Sequence, residues 1–243
     1  MKKAIGYVYV IAAAVCWGFL GLFNRVLTAA GVSLLNMMPL RFGGTAILFT
    51  VFCMMFKQQV FHIKLRHLPI FLGSGLISML LVLCGCALGS GIVGSDVGIS
   101  LEGLLMGLAS ELCYGGYTIF THYGMRYCDS FTMAYWTFLI AGIASLFLAD
   151  GPALLSALAE PRTGLAALGL MVMGTALPFT LYTKGLETVE SGKAAIIANI
   201  EPVMSAVIGV TVFQETLGLW TLVGIVLVLS GVVVLACEKE PDK

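Results

Sequence analysis

Long apolar stretches alternate with short polar breaks along the whole chain. A helix that crosses a bilayer needs about 20 mostly apolar residues, because its backbone polar groups must be satisfied within the helix itself. The pattern therefore predicts an all-α integral membrane fold with about eight transmembrane helices. These lie at residues 5–28, 34–56, 69–92, 101–122, 131–149, 164–184, 192–213 and 217–237.

Basic residues are unevenly divided between the two sides of this predicted topology. Eight spans put both termini on one side, and placing that side in the cytoplasm leaves three arginines facing outward: Arg25, Arg41 and Arg162. Cytoplasmic loops of membrane proteins carry an excess of Lys and Arg. We therefore expect cytoplasmic N- and C-termini and a multi-pass protein of the plasma (inner) membrane. Ten basic residues then face the cytoplasm: Lys2, Lys3, Lys57, Lys64, Arg66, Arg126, Lys184, Lys193, Lys239 and Lys243.

Composition supports the membrane class and argues against several others. Hydrophobic residues make up 59% of the 243 residues and charged residues 11%, with a formal net charge of zero, whereas soluble domains carry about 25% charged residues. A balanced charge does not favour a nucleic-acid partner. The seven cysteines have no zinc-ligand spacing, and no nucleophile, P-loop or metalloprotease motif is present. We expect no enzyme activity, no cofactor and no metal site.

An internal repeat links the first and fourth predicted helices. Gly6, Cys16, Trp17, Gly18 and Phe23 recur as Gly103, Cys113, Tyr114, Gly115 and Phe120, always 97 positions later. The two helices run in opposite directions, so the pattern predicts inverted repeats, which are common in secondary transporters.

A second, shorter match has a different offset. The segment 81–85 resembles the segment 227–231, at an offset of 146, so the two offsets differ by 49 residues. About two helices would fit in that difference. We therefore predict a shortened first unit of three helices at residues 1–95 and a complete second unit of five helices at residues 96–243.

Nearly the whole chain resembles the EamA-type transporters of the drug/metabolite transporter superfamily, and residues 185–231 look like their second unit. The residues that carry the resemblance include Cys-Trp-Gly at 16–18, Cys-Tyr-Gly at 113–115, Arg41-Phe42, Ser191-Gly192-Lys193, Asn199-Ile200-Glu201-Pro202 and Gln214-Glu215-Thr216. The resemblance implies ten helices in two inverted five-helix units around a central cavity that opens to each side in turn. It also implies export or exchange of small metabolites such as amino acids or related compounds.

This chain departs from that pattern because two helices of the first unit are missing or fused. We expect a secondary transporter of amino-acid-like or drug-like solutes, with possible proton coupling. The alternative is a transport-inactive deletion variant that inserts in the bilayer without a complete cavity. A homodimer could fill the gap, since small relatives in this superfamily work as dimers. The expected partners are a small-molecule substrate, the lipid bilayer and this second copy.

Two carboxylates fall near the middle of predicted helices. Charges at the bilayer centre cost about 2.5–3.5 kcal/mol on insertion scales, so Glu111 and Glu201 should face a cavity or an internal partner. Each could couple protons or bind an amine of the substrate. Each could equally be a structural hydrogen-bonding group, and Glu201 could compensate for the backbone bond that Pro202 lacks.

Aromatic and polar residues at helical spacing suggest the remaining binding residues. Tyr114 and Thr118 follow Glu111 on one face of the fourth helix, and Tyr182 lies on a similar stripe of the sixth. Trp17 and Asn24 are seven residues apart in the first helix. Such lines could form an aromatic-walled cavity with polar anchors, although Trp and Tyr also form interfacial belts.

Two charged residues near the outer face complete the set of candidates. Arg41 starts the second helix and could hold a substrate carboxylate or anchor in the headgroups. Glu215 lies in the turn before the last helix, where we expect a structural cap or loop contact, and Pro202 is also expected to be structural.

Overall fold

The computed structural model describes residues 2–56, 58–61, 63, 65–89, 101–147 and 149–237, and every regular element in these ranges is helical. The helices are α1 Lys2–Gly18, α2 Leu20–Ala29, α3 Leu34–Met38, α4 Gly44–Phe56, α5 Leu68–Gly89, α6 Leu101–Gly124, α7 Ser130–Leu146, α8 Gly151–Leu158, α9 Pro161–Met171, α10 Leu177–Leu186, α11 Ser191–Ala198, α12 Ile200–Phe213 and α13 Leu219–Cys237. Two π-helical turns, Pro39–Gly43 and Val172–Ala176, and two 3-10 turns, Gln58–Phe61 and Leu65–His67, connect some of them.

Helix is present in every one of the eight predicted apolar stretches. Four helical segments of the described chain are long and apolar enough to cross a membrane: Ala4–Ala29, Leu35–Phe56, Pro161–Leu186 and Ser191–Phe213. These segments show an all-α chain with several candidate spans. The number of spans, the inverted repeat, the division at residue 95 and the side on which the termini lie stay predictions. The predicted end of the third stretch at residue 92 and the division itself lie outside the described residues.

The segment between α7 and α9 differs from the sequence-based expectation. Residues 150–163 were expected to form a polar break, yet they contain α8, which is bent by 114° from α7. Asp150 caps α8 by accepting a hydrogen bond from the Ala153 amide at 3.3 Å. Asn36 Oδ1 accepts from the Asp150 amide at 2.7 Å, which ties this corner to α3.

Pro202 explains an interruption in the seventh apolar stretch. Its nitrogen has no hydrogen to donate to the carbonyl of Ala198, four residues earlier, and its ring crowds that carbonyl. The structure accordingly separates α11 from α12 at Asn199. Pro202 then occupies the first turn of α12, where backbone amides have no partner within the helix in any case.

Small residues let α1 pack closely against its two main neighbours, α10 and α12. A Cβ added at Gly185 would lie 2.5 Å from Val10 Cγ2, and one added at Gly18 would lie 2.4 Å from Met204 Cβ. Both distances are shorter than van der Waals contact, so only glycine permits these approaches. Close helix packing through small residues is common where the solvent is lipid. The middle of α1 is thereby fixed against α10 and α12.

Candidate functional site

Four aromatic side chains from three helices meet in the interior of the protein. The Trp17 ring lies 5.1 Å from the Phe179 ring, 5.3 Å from the Tyr182 ring and 6.2 Å from the Tyr114 ring, measured between centroids. The Tyr114 and Tyr182 rings are 5.9 Å apart. We call these four residues the aromatic cluster. Centroid distances of 4.5–7 Å with tilted or edge-on planes are the favourable geometry for aromatic pairs.

Helices α1, α6 and α10 bring the cluster together. Trp17 lies one residue before the Gly18 contact with α12, and Tyr182 lies on the face of α10 that packs against α1. Trp17 and Tyr182 are buried, with 3% and 0% of their surfaces exposed. The cluster is therefore part of the packed interior and not of an exposed interfacial belt.

A chain of hydrogen bonds orients one side of the cluster. The Thr118 hydroxyl donates to the Tyr114 carbonyl at 3.0 Å, as helical threonines commonly do. Its only hydrogen is then used, so the Tyr182 hydroxyl is the donor in the 3.1 Å contact between Tyr182 Oη and Thr118 Oγ1. Thr118 thus fixes the direction of the Tyr182 hydroxyl.

Two other polar atoms of the cluster are buried without a hydrogen bond among the described residues: Trp17 Nε1 and Tyr114 Oη. The Tyr114 and Tyr182 hydroxyls interact with each other, but the contact falls outside the usual distance and angle limits of a hydrogen bond. A buried donor without an acceptor costs about 1–3 kcal/mol. A solute or water molecule between these groups would remove that cost.

Glu201 brings a carboxylate to the same region. It lies half-buried in the first turn of α12 and interacts electrostatically with the Tyr114 hydroxyl. The helix break at Asn199 leaves the first amides of α12 without carbonyl partners within that helix. A negative charge is favourable at such a position because of the helix dipole.

Arg41 approaches the cluster through Phe179. Its Nε donates to Thr175 Oγ1 at 3.2 Å, and its guanidinium carbon lies 6.0 Å from the centre of the Phe179 ring and 5.7 Å from that of Phe42. Arg41 and Thr175 each lie in one of the two π-helical turns. A fixed positive charge therefore lies next to one of the four rings.

The structure does not bring every sequence-predicted residue into this group. Asn24 is half-buried on α2, beyond an interruption of the helix at Phe19, and no described contact joins it to the cluster. The Glu111 side chain lies outside the described part of the chain. Glu215 forms an ion pair with Arg25 of α2, and its backbone amide donates to the Gly209 carbonyl of α12 at 3.1 Å.

Phe179 is the cluster residue that the sequence-based prediction missed. An isolated phenylalanine in an apolar helix looks the same whether it faces lipid or the interior. The spacing of Phe179, Tyr182 and Leu186 on one face of α10 could have identified the buried side, because all three are buried and recur every three to four residues.

Two clefts lie near the helices that carry the cluster. One cleft of about 290 Å³ lies at the end of α2 and the start of α9, and Arg25, Glu160, Arg162 and Phe213 line it. The other, of about 320 Å³, lies near the start of α7 and the end of α10, and Tyr9, Asp129, Lys184 and Glu187 line it. Each cleft carries both signs of charge. The first cleft lies beyond the cluster, on α2 and α9, whereas Thr180 and Leu181 of the second cleft lie between Phe179 and Tyr182 in sequence.

Comparison with known proteins identifies a family. The sequence model of the EamA-like transporter family matches residues 101–237, which is more than half of the chain. An uncharacterised transporter of Archaeoglobus fulgidus is 41% identical over 68 residues, which is 28% of this chain and 25% of that protein. The uncharacterised transporter YwfM of Bacillus subtilis is 26% identical over 170 residues, which is 69% of this chain and 56% of that protein. The multidrug resistance protein EbrB of Bacillus atrophaeus is 32% identical over 87 residues, which is 35% of this chain and 74% of that protein.

The matched lengths differ among these relatives. The match covers a quarter of the archaeal protein and just over half of the Bacillus subtilis protein. The chain therefore spans about half the length, or less, of the first two curated relatives that it matches.

Proposed function

Because the chain belongs to the EamA-like transporter family, we propose that it carries small metabolites across the plasma (inner) membrane as a secondary transporter, and that the aromatic cluster is where the solute binds. One observation carries this proposal. Trp17 Nε1 and Tyr114 Oη are buried in the aromatic cluster and make no hydrogen bond of ordinary geometry with the described residues. Buried polar groups nearly always have a partner, and in a transporter the solute can supply it.

The charges around the cluster indicate the class of solute. Aromatic faces and a nearby carboxylate attract an ammonium group, and Trp is the strongest aromatic partner for cations. Glu201 supplies the carboxylate. Arg41, on the far side of Phe179, could bind a carboxylate of the solute. We therefore propose amine-bearing solutes, either amino-acid-like or drug-like, and EbrB is named as a multidrug resistance protein.

The positions of the clefts suggest how the solute reaches this site. None of the four cluster side chains lines either cleft, and Thr180 and Leu181 bring the second cleft next to the cluster on α10. We propose that rearrangement of α1 and α10 opens the cluster to one cleft at a time. This is the alternating access that inverted-repeat transporters use.

Proton coupling through Glu201 can be tested in reconstituted vesicles. We expect the purified full-length chain to move at least one solute of an amino-acid and lipophilic-amine panel, faster with an imposed proton gradient. Glu201→Gln removes the titratable group while keeping its size, so the gradient should no longer accelerate flux. Glu190→Gln, which neutralises an exposed carboxylate next to the start of α11, is the matched control. Gradient-driven flux that survives Glu201→Gln would exclude the coupling role.

The alternative function predicts a different result in the same vesicles. A transport-inactive deletion variant would insert and remain folded but would move no solute of the panel. One structural feature bears on this alternative: the described apolar side chains of α13 are largely exposed, and its main packing contacts are with α11 and α12. A second copy of the chain covering that face would complete the cavity. Solute flux that rises with the fraction of protein present as dimers would support the homodimer.

A further inference from the structure

Two distant segments of the chain meet at the end of the bundle where α5 begins and α6 ends. The His67 ring lies 4.4 Å from the Tyr127 ring, and Tyr123 Oη lies 3.0 Å from Tyr127 Oη. His67 closes the 3-10 turn before α5, and Tyr123 lies in the last turn of α6. These contacts hold the two loops together on the surface.

Two arginines add positive charge to the same place. The Arg126 guanidinium lies over the Tyr123 ring, with its carbon 5.2 Å from the centroid, and both Arg66 and Arg126 interact electrostatically with the Tyr127 hydroxyl. Among the residues that the structure describes, no ion pair is formed by either arginine. The nearest carboxylate along the chain, Asp129, accepts hydrogen bonds from the Thr132 amide and hydroxyl at the start of α7.

We propose that this tyrosine–arginine cluster, made of Arg66, His67, Tyr123, Arg126 and Tyr127, binds the phosphate headgroup of an anionic lipid. A guanidinium matches the geometry of phosphate oxygens and can donate two hydrogen bonds at once. Tyrosines favour the boundary between hydrocarbon and water. Basic residues at that boundary attract anionic headgroups.

Helices α5 and α6 supply the second half of a lipid site next to the tyrosine–arginine cluster. Leu72 and Leu76 on α5 are 41% and 46% exposed, and Ile119 and Phe120 on α6 are 66% and 37% exposed. These side chains lie one to three turns from the cluster on two helices that pack together. Acyl chains can follow them while the phosphate stays at the arginines. A soluble phosphate compound would gain nothing from this apolar surface, so the lipid is the favoured ligand.

The test is lipid retention by the full chain in native mass spectrometry. Phosphatidylglycerol is titrated against phosphatidylcholine with the same acyl chains. The double variant Arg66→Gln/Arg126→Gln should retain phosphatidylglycerol about 30-fold less well, since each interfacial arginine contributes about a factor of five. Phosphatidylcholine binding should not change.

Two control variants distinguish the loss of this site from a general loss of positive charge and from misfolding. Arg162→Gln/Lys193→Gln removes the same number of charges elsewhere and should keep wild-type retention. Arg66→Lys/Arg126→Lys should restore most of it. Equal retention by wild type and the Gln double variant would overturn the proposal, as would equal losses in both Gln variants. Inorganic phosphate that binds at the cluster while phosphatidylglycerol does not would assign the site to a soluble ligand and refute the lipid.

Discussion

Tyr114→Phe should change solute affinity and protein stability in opposite directions. The substitution removes one oxygen atom and keeps the ring that contacts Trp17 and Tyr182. In the protein without solute, that hydroxyl is buried without a hydrogen bond among the described residues. Removing it relieves a desolvation cost of about 1–3 kcal/mol, so the variant without solute should unfold at a higher temperature.

The same change should weaken solute binding if the hydroxyl is a ligand. A hydrogen bond to a neutral group contributes about 0.5–1.5 kcal/mol and one to a charged group about 1.5–3 kcal/mol. The Michaelis constant for an amine-bearing solute should therefore rise about tenfold or more, since 1.4 kcal/mol corresponds to a factor of ten. Uptake into proteoliposomes measures this constant, and thermal unfolding in detergent measures the stability.

Tyr135→Phe is the matched control. Tyr135 is also buried, but its hydroxyl already lies 3.3 Å from Thr50 Oγ1. Its removal should lower stability slightly and leave the Michaelis constant unchanged. If Tyr114→Phe neither stabilises the protein nor weakens solute binding, the hydroxyl has a partner other than the solute and the binding-site argument fails.

Three further substitutions test the surroundings of the aromatic cluster. Thr118→Val removes the acceptor of the Tyr182 hydroxyl, and leaving that hydroxyl unbonded should cost about 1–3 kcal/mol in thermal or denaturant unfolding. Gly18→Val places side-chain atoms where a Cβ alone would be 2.4 Å from Met204 Cβ. It should destabilise the protein by about 1–3 kcal/mol or more, and an unchanged melting temperature would contradict this packing. Pro202→Ala restores an amide that can bond the Ala198 carbonyl, so it should raise stability while slowing flux if the break at Asn199 serves transport.

The helices were predictable because lipid leaves the backbone few choices. A long apolar stretch in a bilayer must be helical to satisfy its amides and carbonyls, and helix is found in each predicted stretch. Helix α8 was not predicted because its neighbours Asp150, Glu160 and Arg162 give the segment the composition of a loop. Asp150 followed by Pro152 is a helix-start signal that this loop-like composition obscured, whereas the bond from the Asp150 amide to Asn36 depends on tertiary structure.

The residues of the aromatic cluster could be grouped from sequence only where helical periodicity was unbroken. Tyr114 and Thr118 share one face of α6, and the structure places both next to Tyr182. The pairing of Trp17 with Asn24 assumed a regular helix, but the interruption at Phe19 lies between them. The contacts among helices distant in sequence, such as Trp17 with Phe179, depend on tertiary packing that periodicity does not describe.

The π-helical turn at Val172–Ala176 gives α10 a property that a regular helix lacks. A π turn holds one residue more than an α turn, and within this one the Thr175 side-chain hydroxyl donates to the Leu170 carbonyl at 3.0 Å. Moving that extra residue along the helix past Phe179 and Tyr182 would rotate the residues that it passes by about 100°, the angle of one α-helical step. Phe179 and Tyr182 lie immediately after the turn. Such a shift of one residue would leave the helix continuous. It would move the Phe179 and Tyr182 rings away from Trp17.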